Sequence, residues 1–166
     1  MSAPTGLDSA IEYHIVNSLG WPGLRPLQAS SVEPVRSGRD CVLVAPTAGG
    51  KTEAAVFPLL SEMVEDKWSG TAILYVTPLR ALLNNIHPRL SAYCSWLGRT
   101  VGLWHGDIGQ SERRRMLADR PDILLTTPES IEAMLVSRRV DHERFLGGVR
   151  AVVIDELHAF AGSDRG

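Results

Sequence analysis

The chain has 166 residues, 44% of them hydrophobic and 22% charged, which is one domain's worth of ordinary globular composition and enough to enclose a core. A formal net charge of −2 excludes the global basicity of a protein that coats nucleic acid, although a local track of amides and a few arginines still suffices to grip a phosphate backbone. No apolar run approaches the roughly 18 residues of a membrane helix, the first thirteen residues carry Asp8 and Glu12 rather than a leader pattern, and Cys41 and Cys94 lack metal-ligand spacing, so they read as free thiols of a reducing cytoplasm.

Ser2 to Gly6 reads as a short flexible lead. Asp8 or Ser9 caps a predicted helix to about Leu19, with Ile11, Ile15, Val16 and Leu19 at helical spacing and Gly20 as its stop. Pro26 opens a second helix, to about Arg36, with Leu27, Val32 and Val35 turned inward. After the turn at Ser37 to Asp40 the pattern changes: short apolar runs alternate with longer amphipathic ones. Cys41 to Val44 is predicted as a buried strand and Lys51 to about Asp66 as a helix. Thr71 to Val76 is a strand, followed by a helix from Leu79 to about Trp96. Thr100 to Trp104 is a strand, followed by a short helix from Ser111 to Ala118. Asp122 to Leu125 is a strand, followed by a helix from Pro128 to Ser137, and Val149 to Ile154 is a fifth strand. Apolar strands separated by helices predict an α/β fold, a mainly parallel sheet with helices on both faces. Sites in such folds lie at the C-terminal ends of the strands.

Two motifs fall at those ends. The run Ala45-Pro46-Thr47-Ala48-Gly49-Gly50-Lys51-Thr52 follows the phosphate-binding loop pattern at its Gly-Lys-Thr end, with Ala45 in place of the first glycine. Small residues let backbone N–H groups close around phosphate oxygens, and a helix starting at Lys51 aims its positive end at the anion. In that pattern the Lys51 ammonium reaches the terminal phosphates of ATP and the Thr52 hydroxyl ligates Mg2+. A glycine-rich turn that merely caps a helix is the plainer reading. The second motif is Val152-Val153-Ile154-Asp155-Glu156. Two acids after an apolar strand suit a metal-and-water site, with Asp155 holding Mg2+ and Glu156 activating the attacking water. Solvated acids at a strand end are the alternative there.

Taken together these motifs resemble motifs I and II of DEAD/DEAH-type superfamily 2 helicases, in particular the large helicase-related (Lhr-like) group. Thr77-Pro78-Leu79-Arg80-Ala81-Leu82 is similar to motif Ia, and Thr126-Thr127-Pro128-Glu129-Ser130 to motif Ib. Trp104-His105-Gly106-Asp107 is similar to a family segment, and Arg25-Pro26-Leu27-Gln28 to the Q motif. The resemblance implies a RecA-like ATP-binding domain over residues 21–166, preceded by a lead and helix. It implies Gln28 on the adenine edge and Arg25 stacked on the base, and phosphates of single-stranded DNA or RNA, DNA being expected, held by Pro78, Arg80, Thr126, Thr127 and Pro128. It implies that Lys51, Asp155 and Glu156 carry the chemistry. It also implies a link to DNA repair, a monomeric state and a second RecA-like domain that supplies an arginine finger. Family members continue beyond the last motif seen here, so a fragment with little turnover of its own is expected.

Residue by residue the alternatives stay open. Gln28 and Arg25 are also ordinary surface residues of a helix start. A Thr-Pro start is also simple capping. Arg113, Arg114 and Arg115 read as a solvated helix face, His105 and Asp107 are a weak metal pair, and His158 is either a coupling residue or a histidine packed at the strand end. A scaffold domain that keeps the fold without the motor, and a P-loop protein of another kind, are the competing functional readings.

Overall fold

A computed structural model describes residues 5–46 and 48–160. The chain divides into two compact units, Met1–Trp68 and Ser69–Gly166.

In the first unit the Asp8 carboxylate accepts the Ala10 N–H at 2.9 Å and so caps α1 (Ser9–Asn17). Ile11 and Ile15 are buried, whereas Val16, expected inward, is 53% exposed. The helix ends two residues before Leu19, ahead of Gly20 at φ +66°. Pro26 starts α2 (Pro26–Arg36), where its missing N–H costs nothing. Helix α3 (Lys51–Glu65) lies against α2: the Ser31 hydroxyl donates to the Ala54 carbonyl at 2.7 Å. Arg36 reaches Glu62 at 2.8 Å and also pairs with Glu65. The α1 start is tied to α3 by the Asp8 N–H, which donates to Ser61 Oγ at 2.9 Å.

The predicted strand from Cys41 to Val44 is not one. Residues 41–46 form neither helix nor ladder, and Val42 and Val44 are 79% and 81% exposed. An apolar run becomes a buried strand only beside a partner that takes up its N–H and C=O groups. Among the described residues no strand pairs with it.

The second unit holds the sheet: β1 (Ile73–Val76), β2 (Val101–Trp104), β3 (Ile123–Thr126) and β4 (Ala151–Ile154), in the order β2-β3-β1-β4. Every pairing is parallel, with Tyr75 level with Leu125 on one side and Val153 on the other. Helices α4 (Arg80–Ser95), α5 (Gln110–Ala118), α6 (Pro128–Val136) and α7 (His142–Leu146) occupy the crossovers, and a short 3-10 turn, Leu157–Phe160, follows β4. The sequence reading did not anticipate α7 or that turn. The central strands β1 and β3 are buried along their whole length, while β2 and β4, at the edges, alternate. Val152 and Ile154 are therefore half-exposed.

On one face Leu74, Val76, Trp104 and Leu124 pack with Met116 of α5, Met134 of α6, Val140, and Phe145 of α7. Helix α4 lies against β2 and β3 and buries Leu83, Ile86 and Leu90. Asp122, just ahead of β3, ties down the entry to β2: its carboxylate takes Arg99 at 3.0 Å and the Thr100 N–H at 2.9 Å.

Candidate nucleotide and nucleic-acid sites

The loop before α3 has little freedom. A Cβ on Gly49 would stand 2.8 Å from both the Ala45 Cβ and the Pro46 carbonyl oxygen, and Gly50 adopts φ +82° as the residue that caps α3. Ala48 is also left-handed, at φ +61°. These turns bring the chain around so that Lys51, the first residue of α3, folds back over the loop. Its ammonium donates to the Ala45 carbonyl at 2.8 Å and lies 3.4 Å from that of Pro46. Lys51 and Thr52 are part-exposed, at the positive end of a 15-residue helix. Thr47 lies outside the described residues.

The start of α2 leans on this loop. Arg25 Nη1 donates to the Ala48 carbonyl at 2.5 Å. Gln28 is 1% exposed, and its Oε1 accepts the Arg25 N–H at 2.9 Å. Its Nε2 is buried without a hydrogen-bond partner, 2.5 Å from where a Cβ on Gly50 would stand. Gln28 is thus no surface glutamine. Its carbonyl is engaged in capping α2, and its unmet donor faces the loop before α3.

At the end of β4, Asp155 and Glu156 are both part-exposed. Asp155 Oδ2 accepts from the Tyr75 hydroxyl at 2.6 Å, and Oδ1 from the Glu156 N–H at 2.9 Å. Each oxygen keeps a lone pair. Glu156 sits at φ +55°, a costly conformation for a residue with a Cβ and one that clusters at functional sites. His158 is exposed, not packed: its Nε2 lies 3.2 Å from Glu156 Oε2, with 82% of its side chain in solvent. Among the described residues no group of three or more His, Cys, Asp or Glu could hold a metal unaided. The Asp155 carboxylate, with a lone pair left on each oxygen, suits Mg2+, which takes few protein ligands and keeps phosphate oxygens and water.

A third cluster surrounds the ends of β1, β2 and β3. Arg80, the first residue of α4, pairs with Asp107 at 3.0 Å, with both side chains more than half exposed. Pro78 before it is buried. His105 is 4% exposed; its Nδ1 accepts the Asp107 N–H at 3.3 Å, and its Nε2 faces Asn84 Oδ1 at 3.3 Å. Arg113 is not solvated like Arg114 and Arg115. Its guanidinium lies 5.6 Å over the Trp104 ring and donates to the His105 and Gly106 carbonyls, a cation–π contact joined to a loop clamp. At the end of β3, Thr126 and Thr127 are 0% and 3% exposed. Thr127 Oγ1 caps α6 by accepting the Ser130 N–H at 3.3 Å. Pro128 is part-exposed, so the solvent-facing part of that stretch is the helix start rather than the two hydroxyls. The sequence reading missed Tyr75, Asn84 and Arg113 as partners of these residues. Their signal is the strand register and helix packing, which the chain order does not display.

The family model of the DEAD/DEAH box helicases matches residues 25–166. The chain belongs to that family. Among its relatives, Lhr helicase/probable uracil glycosylase of Mycolicibacterium smegmatis is 35% identical over 156 residues, covering 85% of this chain and 10% of that protein. ATP-dependent helicase Lhr-Core of Sulfolobus acidocaldarius is 30% identical over 154 residues, covering 85% of this chain and 17% of that protein. The structure of Mycobacterium smegmatis helicase Lhr bound to ssDNA and AMP-PNP superposes with a TM-score of 0.84 at 30% identity, over 96% of this chain and 21% of that one. The RNA helicase Prp28 of Chaetomium thermophilum, bound to ADP, superposes at 0.81 with 26% identity, over 96% of this chain and 39% of that one. These neighbours make the α/β architecture that of a RecA-like helicase domain. The chain spans about a tenth to a fifth of the length of these two curated relatives.

Proposed function

We propose that this DEAD/DEAH box chain is the ATP-binding, first RecA-like domain of an Lhr-like DNA helicase. In this reading residues 21–166 form the domain and residues 1–20 a lead and helix. ATP binding and hydrolysis by the whole protein drive movement along a single strand. The observation that carries the reading is the Lys51 ammonium folded over its own loop, 2.8 Å from the Ala45 carbonyl. A cation at a helix N-terminus, ringed by a tight small-residue loop, is poised to exchange carbonyl oxygens for phosphate oxygens.

Pro46, Thr47, Ala48, Gly49 and Gly50 supply the loop in this reading, Thr52 and Asp155 the Mg2+ ligands, and Glu156 the base that orients water. Gln28 and Arg25 sit on the base of the nucleotide. Arg80, with Pro78 ahead of it, and the α6 start at Pro128 hold phosphates of the strand, with Thr126 and Thr127 fixing that start from within. DNA is favoured by the likeness to an Lhr structure whose bound strand is single-stranded DNA. A cytoplasmic, monomeric protein is the accompanying proposal. No described helix is long and apolar enough to cross a membrane.

Titration of the chain with a fluorescent ATP analogue tests the site. Lys51→Ala is expected to weaken binding at least about tenfold, the effect of losing an interaction of about 1.4 kcal/mol, with the melting temperature unchanged. ATP should displace the analogue more effectively than GTP. Equal binding by the variant would remove the phosphate site from this reading, and equal displacement by GTP would remove Gln28 from the base.

A further inference from the structure

We infer that Tyr75 is the positioning residue of the metal carboxylate: its hydroxyl holds Asp155 in the rotamer that presents the carboxylate to Mg2+. The inference rests on the reading of Asp155 as the magnesium ligand and adds a residue that no motif names.

Tyr75 lies on the central strand β1 and is 1% exposed. It stands level with Val153 of β4, and the Asp155 N–H just past β4 donates to the Val76 carbonyl at 2.9 Å, so Asp155 follows Val153 two residues on, on the same side. Two residues along a strand span about 6.6 Å, a gap that a tyrosine ring bridges and that serine or threonine does not. The hydroxyl ends 2.6 Å from Asp155 Oδ2, the short distance of an O–H donor on a charged acceptor. A core position buried this deeply is filled at least as well by phenylalanine. A buried hydroxyl is retained without penalty only where it is bonded. The partner here is a carboxylate eighty residues away in sequence.

The arrangement fixes both carboxylate oxygens without consuming them. Tyr75 holds Oδ2 and the Glu156 N–H holds Oδ1, leaving one lone pair on each for a cation or its water. The same contact governs the next residue. Glu156 takes its left-handed backbone directly after Asp155, with its N–H on Asp155 Oδ1. Orienting one carboxylate therefore fixes the start of the turn that carries the other. Partners of metal ligands act in this way, by restricting orientation, and their loss reduces metal affinity about 10-fold or more.

The test measures Mg2+-dependent binding of a fluorescent ATP analogue to the 166-residue chain, in EDTA and across a Mg2+ titration. For Tyr75→Phe the expected result is about tenfold weaker apparent Mg2+ affinity, with binding in EDTA unchanged. Asp155→Asn is expected to remove the Mg2+ response, and adding Tyr75→Phe to it should cause no further loss. Full Mg2+ response in Tyr75→Phe overturns the inference, and so does an equal loss in EDTA, which marks a structural role only. An intact response in Asp155→Asn overturns the metal-ligand reading itself, and the inference falls with it. The wild-type fold supplies a second measurement. Of the three tyrosines, the Tyr75 ring-carbon NMR signal should shift when Mg2+ and nucleotide are added and should shift with Asp155→Asn alone. A Tyr75 signal indifferent to Asp155→Asn overturns the inference.

Discussion

At Gly50 a side chain meets two obstacles at once. The backbone is at φ +82°, and a Cβ would stand 2.5 Å from Gln28 Nε2. Left-handed backbone costs a residue with a Cβ roughly 1–2 kcal/mol, and the clash displaces the amide that faces the loop. Gly50→Ala should therefore lower stability by about that amount and weaken ATP binding. Chemical denaturation and analogue titration measure the two effects separately. Lys51, Asp155 and Glu156 stand out as site candidates in the sequence because their motifs are contiguous, and a contiguous motif needs only its own spacing. Arg113 was not legible. One of three adjacent arginines turns back over Trp104 while its neighbours stay in solvent, and that choice is made by the packing of α5 on β2. In the sequence Tyr75 is only one apolar position of a strand, since its partner Asp155 lies eighty residues away, just past β4.

Among the elements, β2 and α4 carry the tests. Gly102 is the point where β2 accepts its neighbours: a Cβ there would stand 2.6 Å from Pro121 Cγ and 2.9 Å from Met116 Sδ. Overpacking of this kind typically costs about 1–3 kcal/mol. Gly102→Ala should lower the thermal midpoint without altering nucleotide affinity once folded, as a melting curve followed by titration would show. Cys94, buried in α4, has its thiol pushed up to about 12, first by burial and then by the Asp122 carboxylate. The folded state keeps this proton while the unfolded chain releases it near pH 8.5. Stability should then fall as pH rises from about 8.5 towards 12, since the unfolded state binds fewer protons there. At pH 8 a thiol reagent should label only exposed Cys41 in the native chain and both cysteines in denaturant. Native labelling of both would contradict the burial of Cys94. Apart from α7, the helices and strands of the second unit follow the sequence reading to within about two residues, because hydrophobic period and caps are local signals. Cys41 to Val44 does not, because the period of a four-residue run cannot say whether a partner strand lies beside it.

For the whole molecule, the chain spans about a tenth to a fifth of its curated relatives, and the proposed motor is a property of the longer arrangement. We propose that a second RecA-like domain of the longer protein contributes an arginine finger, a group worth roughly 10³–10⁵ in rate. The 166-residue chain alone should bind ATP yet turn it over at least about a thousandfold more slowly than a full-length Lhr-like helicase. A coupled-enzyme assay with and without single-stranded DNA measures this, and a normal helicase rate would remove the need for a second domain.

By itself the sequence determined the class of fold, a parallel α/β sheet, and the ordered motifs that mark a DEAD/DEAH box helicase. Both are written in local patterns: period, caps and residue types at fixed spacing. Only the tertiary structure decided what surrounds those motifs. It made β1 and β3 central and β2 and β4 edges, left residues 41–46 unpaired, turned Gln28 towards the loop, and set Tyr75 against Asp155. Register and strand order bring together residues far apart in the chain, and no periodicity within one segment encodes which neighbour another segment will be.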